Sequence, residues 1–395
     1  MRCKDDMSQL TATWNYPARI LAGAGRIREL PEACQALGMR APLLVTDPGL
    51  ASLPMVNDLV QHCAGQGLQV AVFSEIKGNP TGANVEAGVA AFREGGHDGV
   101  IAFGGGSGLD AAKAVALMAG QRDELSIWEL EDIGDYWKRA DGDAVAPVVA
   151  VPTTAGTGSE VGRASVITNE QEHVKRIIFH PQMVPATVIL DPELTVDLPA
   201  SITAATGMDA LSHCLEAWCS PNYHPMAEGI AVEGMRRIRD HLPRVHADGQ
   251  DLESRQHMLV ASMMGATAFQ RGLGAMHALA HPLGALYDAH HGTLNAVLMP
   301  YVLRANEQAI GEPMVRLGRY LDLSQPGTGA VIDWVLDLRE RLGIPHTLAE
   351  LGIGTEQAEK VGRMAVADPS SGTNPIGFSP EQYRDIFVAA VEGRL

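Results

Sequence analysis

Val100-Ile101-Ala102-Phe103-Gly104-Gly105-Gly106-Ser107-Gly108-Leu109-Asp110-Ala111-Ala112-Lys113-Ala114 reads as a strand, a tight turn and the start of a helix. A short apolar run feeds directly into three glycines, and a segment rich in good helix formers follows. Without Cβ atoms, Gly104, Gly105 and Gly106 let backbone N–H groups approach phosphate oxygens. The first turn of the helix adds unpaired donors carrying roughly half a positive charge. The turn therefore suits a pyrophosphate, although glycine-rich βα turns also occur without one and the spacing is not GxGxxG.

The same alternation extends outward on both sides. Residues 42–46, 69–73, 99–103, 145–152 and 187–190 are short apolar β-rich runs, and 55–65 and 85–94 carry helical patterns between them. Such alternation predicts a mostly parallel sheet covered by helices. After Asp191-Pro192 the texture changes: 201–242, 252–289 and 326–393 are rich in Ala, Leu, Met, Glu and Arg, with apolar residues three and four apart. That is the pattern of packed amphipathic helices. The boundary falls near residues 198–201, giving an α/β dinucleotide-binding domain over 1–199 and an all-α domain over 200–395. A chain of 395 residues fits two domains of ordinary size.

Composition narrows the class. With 46% hydrophobic and 19% charged residues the chain has ample apolar surface for folded cores. Carboxylates outnumber Lys and Arg 47 to 30, and the formal charge of −17 argues against a nucleic-acid partner. The opening MRCKDDMSQL is charged, and no run of roughly 18 uncharged apolar residues occurs, so neither a signal peptide nor a membrane span is readable and a cytoplasmic setting is expected. Cys3, Cys34, Cys63, Cys214 and Cys219 show no CxxC pairing, which speaks against both a disulfide framework and a thiolate zinc site.

Two further stretches fit a nucleotide. Pro152-Thr153-Thr154-Ala155-Gly156-Thr157-Gly158-Ser159-Glu160 places four hydroxyls and two glycines behind a strand, enough to bond a phosphate or ribose; it could equally be a capped loop before a helix. Asp47 closes the run 42–46, where a carboxylate would accept from a ribose 2′-OH and repel a 2′-phosphate, favouring NAD over NADP; an Asp there also serves as a helix cap.

The second half holds a metal-ligand pattern. Asp209 and His213 lie four residues apart in a helical stretch, so both project from one face. Gly272-Leu273-Gly274-Ala275-Met276-His277-Ala278-Leu279-Ala280-His281 repeats that spacing, and Asp288-Ala289-His290-His291-Gly292 follows. Either segment alone could be an ordinary ion pair or core histidine. Together they offer one carboxylate and several imidazoles, a donor set suited to Zn²⁺ or Fe²⁺ with an open position for Lewis-acid catalysis.

On these motifs, with Asp191-Pro192-Glu193-Leu194-Thr195 as a further carrier, the chain resembles the iron-containing alcohol dehydrogenase family, which includes lactaldehyde reductases, propanediol dehydrogenases and butanol dehydrogenases. The resemblance spans nearly the whole chain and implies the dehydroquinate synthase-like fold. It implies that Asp209, His213, His277 and His291 bind the metal, Fe²⁺ or else Zn²⁺, and that His281 stands near the nicotinamide and relays the proton. It further implies that Asp47, Asn79, Gly105, Gly106, Ser107, Thr153, Thr154, Thr157, Lys175 and Leu194 line the nucleotide, with Gly104 and Asp110 belonging to the same glycine motif. Two departures stand out: His290 replaces the proline common before the last ligand, and Ala268-Phe269-Gln270-Arg271 replaces the usual phenylalanine-serine-asparagine.

The implied activity is hydride transfer between a small primary alcohol, or its aldehyde, and NAD(H), in a homo-oligomer of two or more chains. The alternative on the same scaffold is a metal- and NAD-dependent lyase or cyclase acting on a phosphorylated substrate.

Overall fold

The computed structural model describes residues 12–14, 18–172 and 174–395. The charged opening and Cys3 lie outside the described residues. Two compact units emerge: one takes residues up to 154 together with 158–196, the other 155–157 with 197–395.

The first unit is an α/β sheet structure. Its strands are β1 (Ala12–Trp14), β2 (Arg19–Ala22), β3 (Leu43–Val45), β4 (Ala71–Phe73), β5 (Val100–Gly104), β6 (Val148–Pro152), β7 (Ala164–Asn169), β8 (Val174–Phe179) and β9 (Thr187–Leu190). Seven form one sheet in the order β1-β2-β9-β6-β5-β3-β4, parallel except for β1 against β2, while β7 and β8 pair as a separate antiparallel ribbon. Central β5 and β6 are buried at every residue, as expected of parallel strands covered on both faces. The five strands expected from the sequence are all present, each end within three residues of its expected place; β1, β2 and the β7–β8 ribbon are additional.

The helices of this unit are α1 (Leu30–Ala36), α2 (Pro48–Ala51), α3 (Pro54–Gly65), α4 (Gly82–Glu94) and α5 (Gly106–Ala119). α5 is buried along most of its length. Within it Lys113, almost wholly enclosed, donates to the carbonyls of Ser159 and Ala164 and pairs with Asp110 at 3.3 Å. Asp110 in turn accepts from Ser159 Oγ and, at 2.9 Å, from the backbone N–H of Val166. This buried cluster ties the segment after β6 to α5.

The second unit is helical: α6 (Ala200–Cys219), α7 (Pro225–Ala247), α8 (Leu252–Ala268), α9 (Ala275–Tyr287), α10 (His291–Ala305), α11 (Glu307–Tyr320), α12 (Thr328–Arg341), α13 (Ala358–Ala367) and α14 (Pro380–Glu392). α6 is enclosed by α7, α8 and α10, and nearly every residue from Thr203 to Trp218 is buried. α10 is similarly enclosed and contains Pro300, which cannot bond the carbonyl of Ala296. Arg339 of α12 reaches in instead, donating to the carbonyls of Ala296 at 3.4 Å and Val297 at 3.0 Å. Among the described residues no helix is long and apolar enough to cross a membrane, and Cys34, Cys63, Cys214 and Cys219 are free thiols.

One pair of imidazoles is expected to make this unit acid-sensitive. His241 of α7 stacks on His257 of α8 with ring centroids 4.0 Å apart. Burial, with His257, Arg244 and Arg237 nearby, outweighs Asp240 and pushes His241 from 6.5 down to about 4. Its folded value is below its unfolded one, so the stability tied to the neutral ring is complete above 6.5 and is lost as pH falls toward 4. The thermal midpoint should therefore drop over that window, and His241→Gln should flatten the drop relative to the parent; an unchanged pH profile in thermal melts would refute this.

Candidate metal centre and dinucleotide turn

In the helical unit, Asp209 and His213 stand one turn apart on α6, His277 and His281 one turn apart on α9, and His291 opens α10. The ligand atoms of Asp209, His213 and His277 all lie within 4.8 Å of one another, and all three residues are buried. Oδ1 of Asp209 is 3.9 Å from Nε2 of His213 and 3.5 Å from Nε2 of His291. The rings of His213 and His277 stack at 4.9 Å, and His291 tilts against His277 at 5.2 Å. The four proposed ligands thus come together from three helices. His291 approaches the shared carboxylate but falls outside the tight group of three.

Local sequence explains the convergence. Gly292 is decisive: a Cβ there would stand 2.3 Å from the backbone oxygen of Ala205 and 3.2 Å from Cβ of Asp209. Only glycine lets the first turn of α10 lie against α6 and bring His291 beside Asp209.

Two residues not anticipated from the sequence complete the arrangement. Glu216, buried on α6, accepts from Nδ1 of His277 at 2.6 Å with Oε2 and from the Met276 N–H at 2.7 Å with Oε1. With Nδ1 carrying its hydrogen toward Glu216, Nε2 of His277 presents a lone pair to the cluster. Asn295, one turn into α10, places Nδ2 2.9 Å from Oδ1 of Asp209 and 3.2 Å from Nε2 of both His277 and His291. One donor group thereby stands where three acceptor atoms converge. Both residues carried a readable signal, since Glu216 follows His213 by three positions and Asn295 follows His291 by four, the spacings that share a helix face.

The electrostatics suit a cation. Burial alone would raise Asp209, but His213, His291, His277 and the Asn295 amide outweigh it and hold the carboxylate at about 2. Burial pushes His213 down to about 4, leaving a neutral imidazole. Burial also acts to lower His277, yet Glu216, Asp209 and Asp368 prevail and shift it upward, so this position favours positive charge. A divalent ion on Nε2 would satisfy that preference. The donor set of one carboxylate and neutral imidazole nitrogens fits Fe²⁺ or Zn²⁺.

His281 bonds through Nδ1 to Asp368 at 2.8 Å. Phe269 meets the ring of His213 edge-on at 5.2 Å. Arg271 is committed to capping α6: it donates to the carbonyls of Ala217, Trp218 and Asn222 and pairs with Glu228 at 2.9 Å.

In the α/β unit, the parallel register sets Gly104 opposite Pro152 at the ends of β5 and β6, and the Thr153 N–H donates to the Gly104 carbonyl at 3.0 Å. Gly104 has φ +146°, a conformation that favours glycine, and Gly105 opens α5 with no side chain capping its first N–H groups. Thr154 packs on Gly105, and Ser107 donates to the Gly78 carbonyl. Asp47 caps α2 by accepting from the Leu50 N–H at 3.0 Å with Oδ1, while Oδ2 lies 3.9 Å from where a Cβ on Gly104 would stand. Oγ1 of Thr46, fully buried beside the same glycine, has no hydrogen-bond partner. An uncapped helix start, close-approach glycines and an orphaned hydroxyl fit a dinucleotide phosphate.

Lys175 of β8 donates to Asn79 at 2.9 Å. Leu194 packs on the apolar core of the α/β unit. Thr157 groups with the helical unit. Asp110 spends both carboxylate oxygens on Ser159 and Val166, as described above, and so acts on the loop rather than presenting a free acceptor.

Residues 17–192 match the family described as iron-containing alcohol dehydrogenase, and 203–391 match the C-terminal part of the Fe-containing alcohol dehydrogenase family. The chain belongs to the iron-containing alcohol dehydrogenase family. Within it, a 4-hydroxybutyrate dehydrogenase of Cupriavidus necator is 42% identical over 379 residues, covering 93% of this chain and 97% of that protein. The crystal structure of a 1,3-propanediol oxidoreductase superposes with a TM-score of 0.89 at 34% identity, covering 96% of this chain and 99% of the other. A sulfoacetaldehyde reductase from Bifidobacterium kashiwanohense, solved in complex with NAD⁺, superposes at 0.86 with 29% identity, covering 96% and 98% of the two chains. As a family member the chain is an alcohol and aldehyde oxidoreductase with a mostly parallel sheet unit and a helical C-terminal unit.

Proposed function

We propose that this chain transfers hydride between a small primary alcohol, or its aldehyde, and NAD(H), using one divalent ion held by Asp209, His213, His277 and His291. The observation that carries the reading is the buried convergence of Asp209, His213 and His277 within 4.8 Å, with His291 facing the same carboxylate oxygen. When bound, the ion supplies Lewis acidity and the nicotinamide supplies the hydride acceptor. The chain's own residues hold and orient. Glu216 fixes His277 with Nε2 toward the cluster, Asn295 steadies Asp209, and Phe269 places an apolar edge beside His213. His281 is the proposed proton carrier, and Gly104, Gly105, Gly106, Ser107, Thr153 and Thr154 the proposed phosphate cradle. The domain boundary is proposed near residues 198–201.

Iron is the family's metal, with zinc as an alternative that the nitrogen and oxygen donors also accept. The free thiols support a reducing, cytoplasmic setting, and the family resemblance supports a homo-oligomer. The names of the relatives, which include a hydroxybutyrate and a propanediol dehydrogenase, support a short, terminally hydroxylated substrate. The cyclase alternative needs cations for a phosphorylated substrate, and Arg271, the nearest candidate in sequence, is already occupied with carbonyls and Glu228.

The deciding assay follows NADH absorbance for two- to six-carbon alcohols, diols and aldehydes, with NAD and NADP, on protein loaded separately with Fe²⁺ and Zn²⁺. Metal-dependent NADH formation supports the reading; phosphate release without net NADH would transfer it to the cyclase class. Asp47 gives a second check. Because its Oδ2 faces the Gly104 turn, Asp47→Gly should raise kcat/KM for NADP by about tenfold or more, the scale of one relieved charge contact. No gain with NADP would remove Asp47 from cofactor selection.

A further inference from the structure

His281 stands one turn beyond His277 on α9, its ring nearly parallel to that of His291, at 11° and 5.4 Å between centroids. Its Nδ1 lies 2.8 Å from Oδ2 of Asp368, 87 residues further along the chain. Asp368 is itself held firmly. Its side chain is 12% exposed, and Oδ1 accepts from the Ser370 N–H at 2.8 Å at the start of the turn Pro369–Thr373. Burial acts to raise this carboxyl, but His281 and Ser370 outweigh it, so the group stays ionised. An ionised acceptor has no hydrogen to give, so the hydrogen between the two groups belongs to Nδ1 of His281. The lone pair of the neutral ring then resides on Nε2.

We propose that Asp368 is a positioning residue for proton transfer, fixing the tautomer and direction of the His281 ring so that Nε2 receives the proton released by the alcohol. The proposal rests on the reading of His281 as proton carrier given above. In the forward reaction the alcohol's C–H bond breaks with both electrons leaving as hydride to the oxidised nicotinamide. Its O–H bond breaks with the proton passing to Nε2, and the carbon–oxygen double bond of the aldehyde forms. Nδ1–H stays with Asp368 throughout, and the proton on Nε2 is finally given to water. The same placement of a carboxylate behind a working imidazole serves other proton-transferring enzymes by orienting the ring rather than by taking its proton.

Asp368→Asn is the informative variant. The amide oxygen can still accept from Ser370, so the turn is kept, but the amide nitrogen now donates to Nδ1 and forces the hydrogen onto Nε2. Expected are a kcat lower by about 100-fold, the lower end of general acid–base contributions, with KM and bound metal unchanged, and partial recovery in Asp368→Glu. In the zinc-loaded protein, ¹⁵N shifts of His281 should report Nδ1–H in the parent and Nε2–H in Asp368→Asn. In a His281→Ala background, Asp368→Asn should have no further effect on kcat. An unchanged kcat in Asp368→Asn, or an equal loss with and without His281, would overturn the proposal. Full turnover in His281→Ala alone would instead overturn the proton-carrier reading beneath it.

Discussion

His277→Ala is expected to lose bound metal and turnover together. The substitution removes Nε2 from a group whose three members lie within 4.8 Å, and Asn295 presents its donor toward the vacated position. It also strips Glu216 of its 2.6 Å partner, leaving a buried carboxylate oxygen unsatisfied, a loss of about 1–3 kcal/mol in stability. Metal analysis should find no ion above background, and kcat/KM should fall by at least about 10³-fold, on the order of 4 kcal/mol. Turnover that persists in this variant, or in the parent after metal stripping, would defeat the metal-dependent mechanism.

Gly292→Ala should do comparable damage without touching a proposed ligand. Its new Cβ would begin 2.3 Å from a backbone oxygen of α6, a contact that no side-chain rotation relieves. α10 has to withdraw by about 1 Å, carrying His291 away from Asp209, and overpacking of this kind costs about 1–3 kcal/mol. Metal affinity should weaken by about 10–100-fold, as for residues that orient ligands without binding. Gly311→Ala on α11 is the control: nothing lies within 4 Å of its Cβ, so it should be neutral or should stabilise by about 0.5–1 kcal/mol. Thermal melts and metal titrations of the pair check this, and equal behaviour of the two variants would show that helix approach at Gly292 is unimportant.

Much of the architecture is legible because it rests on local patterns. A continuous apolar strand, three glycines and an alanine-rich helix define the β5–α5 unit whatever lies around it, and the Asp209/His213 and His277/His281 pairs are visible as one-turn spacings. What escapes the sequence does so for identifiable reasons. β1 and β2 are three and four residues long and draw their stability from neighbours in the sheet, β2 through its pairing with β9, rather than from a pattern of their own. The expected helical segments omit both α10 and α11; α10 is buried along most of its length, so its apolar residues mark no single face. Asp368 meets His281 only through tertiary folding across 87 residues, and nothing near either residue announces the other. Asp110 sits in a motif that suggests ligand contact, whereas its bonds to Ser159 and Val166 give it a scaffolding task that appears only in the folded chain.

The bond from Arg339 to the Ala296 carbonyl, which Pro300 leaves without its helical donor, bears on how this protein can be recombined with its relatives. A chimaera with a crossover between α10 and α12 that keeps Pro300 but imports an apolar residue at 339 inherits a stranded carbonyl. The reverse exchange returns a helical donor to the Ala296 carbonyl and leaves the guanidinium with Val297 and His346 as acceptors. Positions 300 and 339 are therefore coupled, and shuffled helical halves that draw both from the same parent are expected to be the more stable.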